Sequence, residues 1–108
     1  MDAIVIAALY QFKVVLDAAA LQTALKTLCK EQGILGTLIV APEGINGTVS
    51  GSRAAIDCLH HYLLSVGFDH MEYKESFAPE HTFERLKIKL KKFGKISIIS
   101  FSFSAIES

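Results

Sequence analysis

Apolar and charged residues alternate most regularly over residues 83–92, which read FERLKIKLKK. In a strand, alternate side chains point to the same face, so Leu86, Ile88 and Leu90 are predicted to lie on one face. Same-face residues of a strand are ~6.6 Å apart, so the charges on the other face should form a row of roughly 20 Å. We name this set the basic row; it consists of Arg85, Lys87, Lys89 and Lys91.

Helical spacing of apolar residues appears in two other segments. Residues 18–32 are rich in alanine and leucine, and they are preceded by Asp17, a good N-cap, and followed by Gly33, a good terminator. Residues 53 to about 66 repeat the pattern behind Ser52 and are again followed by a glycine. The sequence therefore predicts two helices with these bounds.

The segment GTLIVAPEGINGTVSG, residues 36–51, lies between the helices and contains two apolar runs typical of paired strands. A reversal at Asn46 and Gly47 is one interpretation, but it places Pro42 inside a paired strand, where proline lacks the N–H that the ladder needs. A reversal at residues 42–44 is preferred, because proline presets φ and glycine tolerates a positive φ. Asn46-Gly47 then predicts a bulge or a second kink just after the turn.

The order of predicted elements is strand, helix, strand, strand, helix, strand, strand. This order is typical of an α+β, ferredoxin-like split βαβ sandwich, in which a mostly antiparallel sheet carries two helices on one face. The hairpin is expected at the centre of the sheet, and each helix is expected to cross between parallel neighbouring strands in the right-handed sense. The predicted strands cover residues 3–15, 37–41, 45–50, 71–76 and 83–92.

Length and composition set the remaining limits. A chain of 108 residues is long enough for one domain with one core, which we assign to residues 1–92. Residues 93–108 form a tail with the composition of an added edge strand. Eleven basic residues balance eleven acidic ones, so net charge indicates no partner. No apolar run approaches the ~20 residues of a membrane span, and Asp2 is unlike a signal peptide, so we expect a cytoplasmic protein.

The cysteines and the paired histidines do not predict a metal site. Cys29 and Cys58 fall inside the predicted helices without the spacing of a zinc framework, and buried thiols are the simplest interpretation. His60 and His61 are adjacent on a helix, where they point about 100° apart and cannot share a metal as an i, i+4 pair would. We therefore expect no cofactor and assign no catalytic residue.

Two sets of residues are candidates for RNA contact. The basic row either is an ordinary charged strand face, which also protects a sheet edge from aggregation, or binds RNA phosphates. Tyr73 and Lys74 belong to the preceding strand and are predicted to adjoin the row, with Tyr73 stacking on a base if it is exposed. The second set consists of Gly44, Asn46 and Gly47. These residues either serve only the turn and the bulge, or they form a surface of backbone N–H donors for phosphate.

Four blocks of sequence, GTLIVAPEGINGTVSG, SRAAID, YKESF and FERLKIKLKK, occur in an order that resembles one protein family. The chain is similar to the amino-terminal domain of the rhodanese-containing tRNA uridine hydroxylases, long catalogued as an uncharacterised family. The resemblance implies an acylphosphatase-like domain that precedes a catalytic rhodanese domain, and a reaction that converts the wobble uridine of tRNA to 5-hydroxyuridine. No cysteine follows Cys58, so the rhodanese nucleophile is absent and an isolated or truncated amino-terminal half is expected.

Three functional hypotheses follow. The first is a module that binds and positions tRNA and is not catalytic on its own. Its expected partners are tRNA and, in full-length relatives, a rhodanese domain in cis; neither DNA nor a membrane is expected as a partner. The second is a structural domain that packs on the rhodanese domain or dimerises, through an exposed apolar patch on the sheet or in the tail. The third is an acylphosphatase-like hydrolase, which needs an arginine in a phosphate cradle where this chain reads VVLDAAA.

Overall fold

Both helices of the computed structural model, which describes residues 3–91, begin where the sequence predicts. Helix α1 covers Ala18–Gln32; the side chain of Asp17 accepts a hydrogen bond from the Ala20 amide at 3.0 Å, and Gly33 ends the helix in the left-handed conformation at φ 70°. Helix α2 covers Arg53–Ser65, with Ser52 as its N-cap. It ends slightly earlier than predicted. Local capping chemistry therefore determines these bounds.

Five strands form one sheet in the order β4-β1-β3-β2-β5. The first four are mutually antiparallel where they pair, and β5 is parallel to β2. This is the predicted α+β, ferredoxin-like arrangement, with a fifth strand added at one edge. The strands are β1 (Ile4–Phe12), β2 (Leu35–Ala41), β3 (Gly44–Gly51), β4 (Glu72–Ala78) and β5 (Leu86–Leu90).

The strands joined by each helix are not neighbours, so that prediction is wrong. Helix α1 connects β1 to β2 across the intervening β3, and α2 connects β3 to β4 across the intervening β1. Each connected pair is parallel because both of its members are antiparallel to the strand between them. Each βαβ unit is therefore split by a strand of the other unit, and the two units are interleaved in one sheet.

The hairpin of β2 and β3 reverses at Pro42 and Glu43, as predicted, because Ala41 pairs directly with Gly44. Strand β3 occupies the centre of the sheet. The predicted bulge at Asn46-Gly47 is wrong, since the register runs through both residues without interruption. Gly47 instead permits a close approach: a Cβ there would lie 2.1 Å from the carbonyl oxygen of Thr37.

One face of the sheet packs on the helices and contains the core. Alternate residues of β1, such as Val5 and Leu9, are buried against apolar residues of α1 and α2, and Ile88 of β5 belongs to the same cluster. We call the opposite face of the sheet the open face. The helices therefore cover one side of the sheet, and the open face is where the odd-numbered residues of β5 project.

Several strand ends differ from their predicted positions. Strand β1 stops at Phe12, and Lys13 and Val15 then donate hydrogen bonds to Glu43 and Pro42 of the hairpin turn, at 2.9 and 2.8 Å. Strand β4 runs two residues further than predicted, and β5 begins three residues later. The predicted tail, residues 93–108, lies outside the described residues. Within the described residues, no helix is long and apolar enough to cross a membrane.

Candidate nucleic-acid interface

The basic row lies on an edge strand with its charges exposed. Ile88 is only 5% exposed and packs in the core, and Leu86 is packed against the same cluster. The four cationic residues are exposed, two within β5 and one just beyond each of its ends: Arg85, Lys87, Lys89 and Lys91. The division between apolar and charged faces predicted from the sequence is therefore present in the structure.

Three hydrogen bonds fix the position of β5 besides its own ladder. The Gly36 amide donates to the Arg85 carbonyl and the Lys91 amide donates to the Val40 carbonyl, each at 2.8 Å, so both ends of the row are tied to β2. From the helix side, Gln22 Nε2 donates to the carbonyl oxygen of Ile88 at 2.7 Å. The strand that carries the charges is thus anchored both to the sheet and to α1.

Cross-strand pairing shows which residues share the open face with the row. Lys87 pairs with Thr37, Thr37 with Thr48, and Thr48 with Ala8, which in turn pairs with Lys74 of β4. Lys74 is therefore on the same face as the row but at the opposite edge of the sheet. Four strand spacings of ~4.8 Å separate the two lysine backbones by roughly 19 Å, so the prediction that Lys74 adjoins the row is wrong.

Tyr73 lies on the helix side of the sheet and not beside the basic row. Its ring stacks on His60 of α2, with centroids 4.5 Å apart and planes at 12°, and its hydroxyl donates to Glu75 Oε2 at 2.7 Å. Burial, followed by the Glu75 hydrogen bond, raises the pKa of the Tyr73 hydroxyl. The ring is already engaged by helix α2, so the expectation that it extends the surface of the row is wrong.

An aromatic residue that does share the open face is Tyr10. It pairs with Asn46, which pairs with Ile39, which pairs with Lys89. Its ring makes an edge contact with Phe12 at a centroid distance of 4.8 Å. The sequence pattern alone shows that Tyr10 and Phe12 share a face, but only the strand order assigns that face to the side that carries the row.

The second candidate set is not a surface. Gly44, Asn46 and Gly47 are all buried in β3, between β1 and β2. A central strand uses its backbone donors in the two ladders, so these residues do not present the predicted donor surface to RNA. The Asn46 side-chain amide and the Thr48 hydroxyl, both on the open face, are buried and find no hydrogen-bond partner among residues 3–91.

Arg53, at the start of α2, forms the main polar network on the helix side. Its guanidinium donates two hydrogen bonds to the Glu75 carboxylate, at 2.9 and 2.6 Å, and contacts Asp57 at 3.0 Å. The hydrogen bonds from Arg53, supported by that from Tyr73, lower the pKa of Glu75 to about 2. This network fastens β4 to α2 and explains the orientation of Tyr73.

Three further features bear on candidate chemistry: the buried thiol, the metal-ligating residue types and the two arginines. Cys29 is buried, and that burial, with a smaller effect of the Cys58 charge, raises its pKa to about 12. Within residues 3–91 no cluster of His, Cys, Asp or Glu is arranged to hold a metal ion. Arg53 and Arg85 both lie at the end of the sheet away from the β1–α1 junction, where an acylphosphatase-like site needs its arginine.

Comparison with known proteins identifies related sequences along most of the chain. The sequence profile described as "UPF0176 acylphosphatase like domain" matches residues 4–93. A protein of Acinetobacter baumannii (strain AYE) named tRNA uridine(34) hydroxylase is 59% identical over 88 residues, which are 82% of this chain and 28% of that protein. A protein of the same name in Deinococcus radiodurans is 58% identical over 87 residues, 81% of this chain and 29% of that protein. The chain thus spans less than a third of the length of these relatives.

Solved structures share the fold at low sequence identity. The BLUF protein BlrB, in its dark state, superposes with a TM-score of 0.62 at 18% identity, covering 99% of this chain and 86% of that one. Full-length HypF superposes with a TM-score of 0.59 at 14% identity, covering 84% of this chain and 12% of that one. At such identities the likeness concerns the fold alone.

Proposed function

Because the chain belongs to the UPF0176 acylphosphatase-like domain family, as the resemblance noted above predicted, we propose that it is the tRNA-positioning module of a wobble-uridine hydroxylase. The relatives named tRNA uridine(34) hydroxylase extend well beyond this domain. In this proposal the hydroxylation chemistry belongs to the remainder of such a protein. The domain itself is non-catalytic and acts in the cytoplasm by holding tRNA.

The observation that carries the proposal is the exposed basic row on an anchored edge strand. Cations at alternate positions of one strand, with ~6.6 Å between neighbours, suit contacts to successive phosphates of an RNA backbone. Such contacts position the RNA and carry no sequence information, which fits a module that holds a substrate. Thr37, the cross-strand neighbour of Lys87, adds a hydroxyl-bearing side chain to the same face.

The competing explanation is that the lysines only protect the edge strand from pairing with another chain. Glutamate at the same positions keeps the edge charged and therefore keeps this protection, but it repels phosphate. Charge reversal thus separates the two explanations, whereas substitution with an apolar residue would not.

The test is fluorescence anisotropy of labelled tRNA with a wobble uridine, titrated with residues 1–108. Lys87→Glu together with Lys89→Glu is expected to weaken binding on the order of tenfold or more, through lost phosphate contacts. The matched control is Lys26→Glu with Lys30→Glu, which makes the same charge change on exposed positions of α1. Equal weakening by both pairs, or no binding by the unsubstituted chain, would refute the proposal.

A further inference from the structure

Exposed apolar side chains concentrate at one end of the domain, which we call the turn end because it carries Pro42 and Glu43. Leu16 is 98% exposed and Val14 is 74% exposed, both in the loop between β1 and α1. Single exposed apolar residues are ordinary, but a cluster marks a contact surface. Among residues 3–91, five of the six large apolar side chains that are exposed lie at the turn end, and we call these five the end patch: Phe12, Val14, Leu16, Leu64 and Val66.

Direct contacts show that the two segments that form the end patch, residues 12–16 and the end of α2, are neighbours of each other and of the hairpin turn. Lys13 and Val15 donate hydrogen bonds to the hairpin turn, which holds the β1–α1 loop against it. The end of α2 reaches the same loop, since a Cβ on Gly67 would lie 2.6 Å from Cε of Lys13. The patch is therefore built by segments that are far apart in the sequence and adjacent in the fold.

The end patch borders an apolar groove of about 540 Å³ between the first turns of α1 and the last turn of α2. Val14, Leu16 and Val66 line it together with Tyr62 and Phe68. Among the described residues, Lys13 contributes the only charge to this lining. The surface is thus suited to an apolar segment of polypeptide and unsuited to the phosphates of RNA.

The path of the chain identifies the occupant. Strand β5 runs towards the turn end, where the Lys91 amide is bonded to the Val40 carbonyl, next to the hairpin turn. In the A. baumannii relative the matched domain is only 28% of the protein, so most of that polypeptide lies outside it. The family resemblance implies that the domain is the amino-terminal one and that this polypeptide follows it. Lys91, the last described residue, thus lies at the end of the domain that carries the end patch.

We propose that the end patch is the docking surface for the polypeptide that follows this domain in the longer family members, which packs on it in cis. Contact with the β1–α1 loop and the end of α2 fixes the orientation of the domain relative to the rest of the protein. This proposal does not depend on RNA binding. Of the five residues of the end patch only Phe12 belongs to a strand, so the patch lies mainly beside the sheet and not on it. The interaction surface that the sequence also predicts in the tail lies outside the described residues.

The test is a full-length chimera of the A. baumannii relative in which residues 4–91 of this chain replace the matching domain. Val14→Asp with Leu16→Asp is expected to make the junction after residue 91 sensitive to limited proteolysis and to increase the radius of gyration in small-angle scattering. Phe77→Asp is the control, since Phe77 is 64% exposed at the opposite end of the sheet. The circular dichroism spectrum of the 108-residue chain should be the same with Val14→Asp and Leu16→Asp, with Phe77→Asp and without substitution, because the substituted side chains are largely exposed.

Equal protection of the junction in the doubly substituted and unsubstituted chimeras would overturn the proposal, and so would a junction that is equally open in both. Self-association is the other use of such a patch. If the 108-residue chain is a dimer by light scattering and Val14→Asp with Leu16→Asp makes it a monomer, the patch serves a second copy and docking in cis is wrong.

Discussion

Gln22 of α1 holds Ile88 of β5 through a hydrogen bond from its side-chain Nε2 to the main-chain carbonyl oxygen, at 2.7 Å. The two residues are 66 positions apart in sequence. This bond uses a carbonyl that β5, as an edge strand, does not pair with β2. It therefore ties the strand that carries the basic row to the helical layer.

Gln22→Met is expected to lower the free energy of unfolding by about 1 kcal/mol, the usual cost of one lost hydrogen bond to a partly buried group. The effect should be greatest near β5, so the amide of Lys91, which donates to Val40, should exchange its hydrogen faster. Hydrogen exchange followed by mass spectrometry measures this. Thr23→Ala removes a hydrogen bond that stays within α1 and should leave exchange in β5 unchanged. Equal exchange in the two variants would contradict the anchoring role.

The Glu75 network predicts a specific dependence of stability on pH. The folded pKa of Glu75 is about 2, below its ordinary value of 4.5, so the ionised carboxylate stabilises the folded state above pH 4.5. That contribution is lost as the pH falls from 4.5 towards 2. In thermal melts, Glu75→Gln should therefore reduce Tm by a few degrees at pH 7. On acidification, the Tm of this variant should fall less than the Tm of the unsubstituted chain. Glu72→Gln in the same strand is the control; identical acid profiles for Glu75→Gln and the unsubstituted chain would show that the network is not formed.

Two glycines should respond very differently to alanine. At Gly47 a Cβ would lie 2.1 Å from the Thr37 carbonyl oxygen and 2.7 Å from the Leu38 Cα, so the central strands must separate, at a cost of about 3 kcal/mol or more. At Gly33 a Cβ meets nothing within 4 Å, and only the left-handed backbone opposes it, at about 1 kcal/mol. Urea denaturation of Gly47→Ala and Gly33→Ala measures both costs. A smaller loss at Gly47 than at Gly33 would contradict the close pairing of β2 and β3.

The two thiols should differ in reactivity. Cys29 is fully buried, and that burial raises the pKa of its thiol to about 12, so very little of it is the reactive thiolate at pH 8. Cys58 is half-buried on α2. With an aromatic disulfide reagent at pH 8, the native chain should release at most one equivalent rapidly, and Cys58→Ser should remove that phase. A rapid phase that persists in Cys58→Ser would show that Cys29 is accessible.

Features set by neighbouring residues were predicted well from the sequence. Asp17 and Ser52 mark the helix starts because N-capping is local, and Pro42 excludes the competing turn because a missing N–H cannot serve in a central strand. The alternation in β5 gives its two faces correctly, since the side-chain period of a strand is fixed. Family membership also followed from the sequence, through several blocks in one order.

Features set by strand order were not predictable in the same way. Tyr73 and Lys74 precede β5 in the sequence, yet β4 and β5 form opposite edges of the sheet, and no local pattern contains that information. The register similarly buries Asn46 beside Tyr10 and Ile39, although its sequence, Asn followed by Gly, suggests an exposed turn or bulge. The end patch was missed because its two parts, the β1–α1 loop region and the end of α2, are far apart in the sequence.

The central claim is that Lys87 and Lys89 contact RNA phosphates, and the salt dependence of tRNA binding tests it most directly. Each phosphate contact contributes about 0.7 to 0.9 to the negative slope of log association constant against log salt concentration. Changing both lysines to glutamate should therefore make the slope less steep by roughly 1.4 to 1.8, whereas Lys26→Glu with Lys30→Glu should leave it unchanged. A slope that is the same in the unsubstituted chain and in the Lys87→Glu, Lys89→Glu variant would contradict the account.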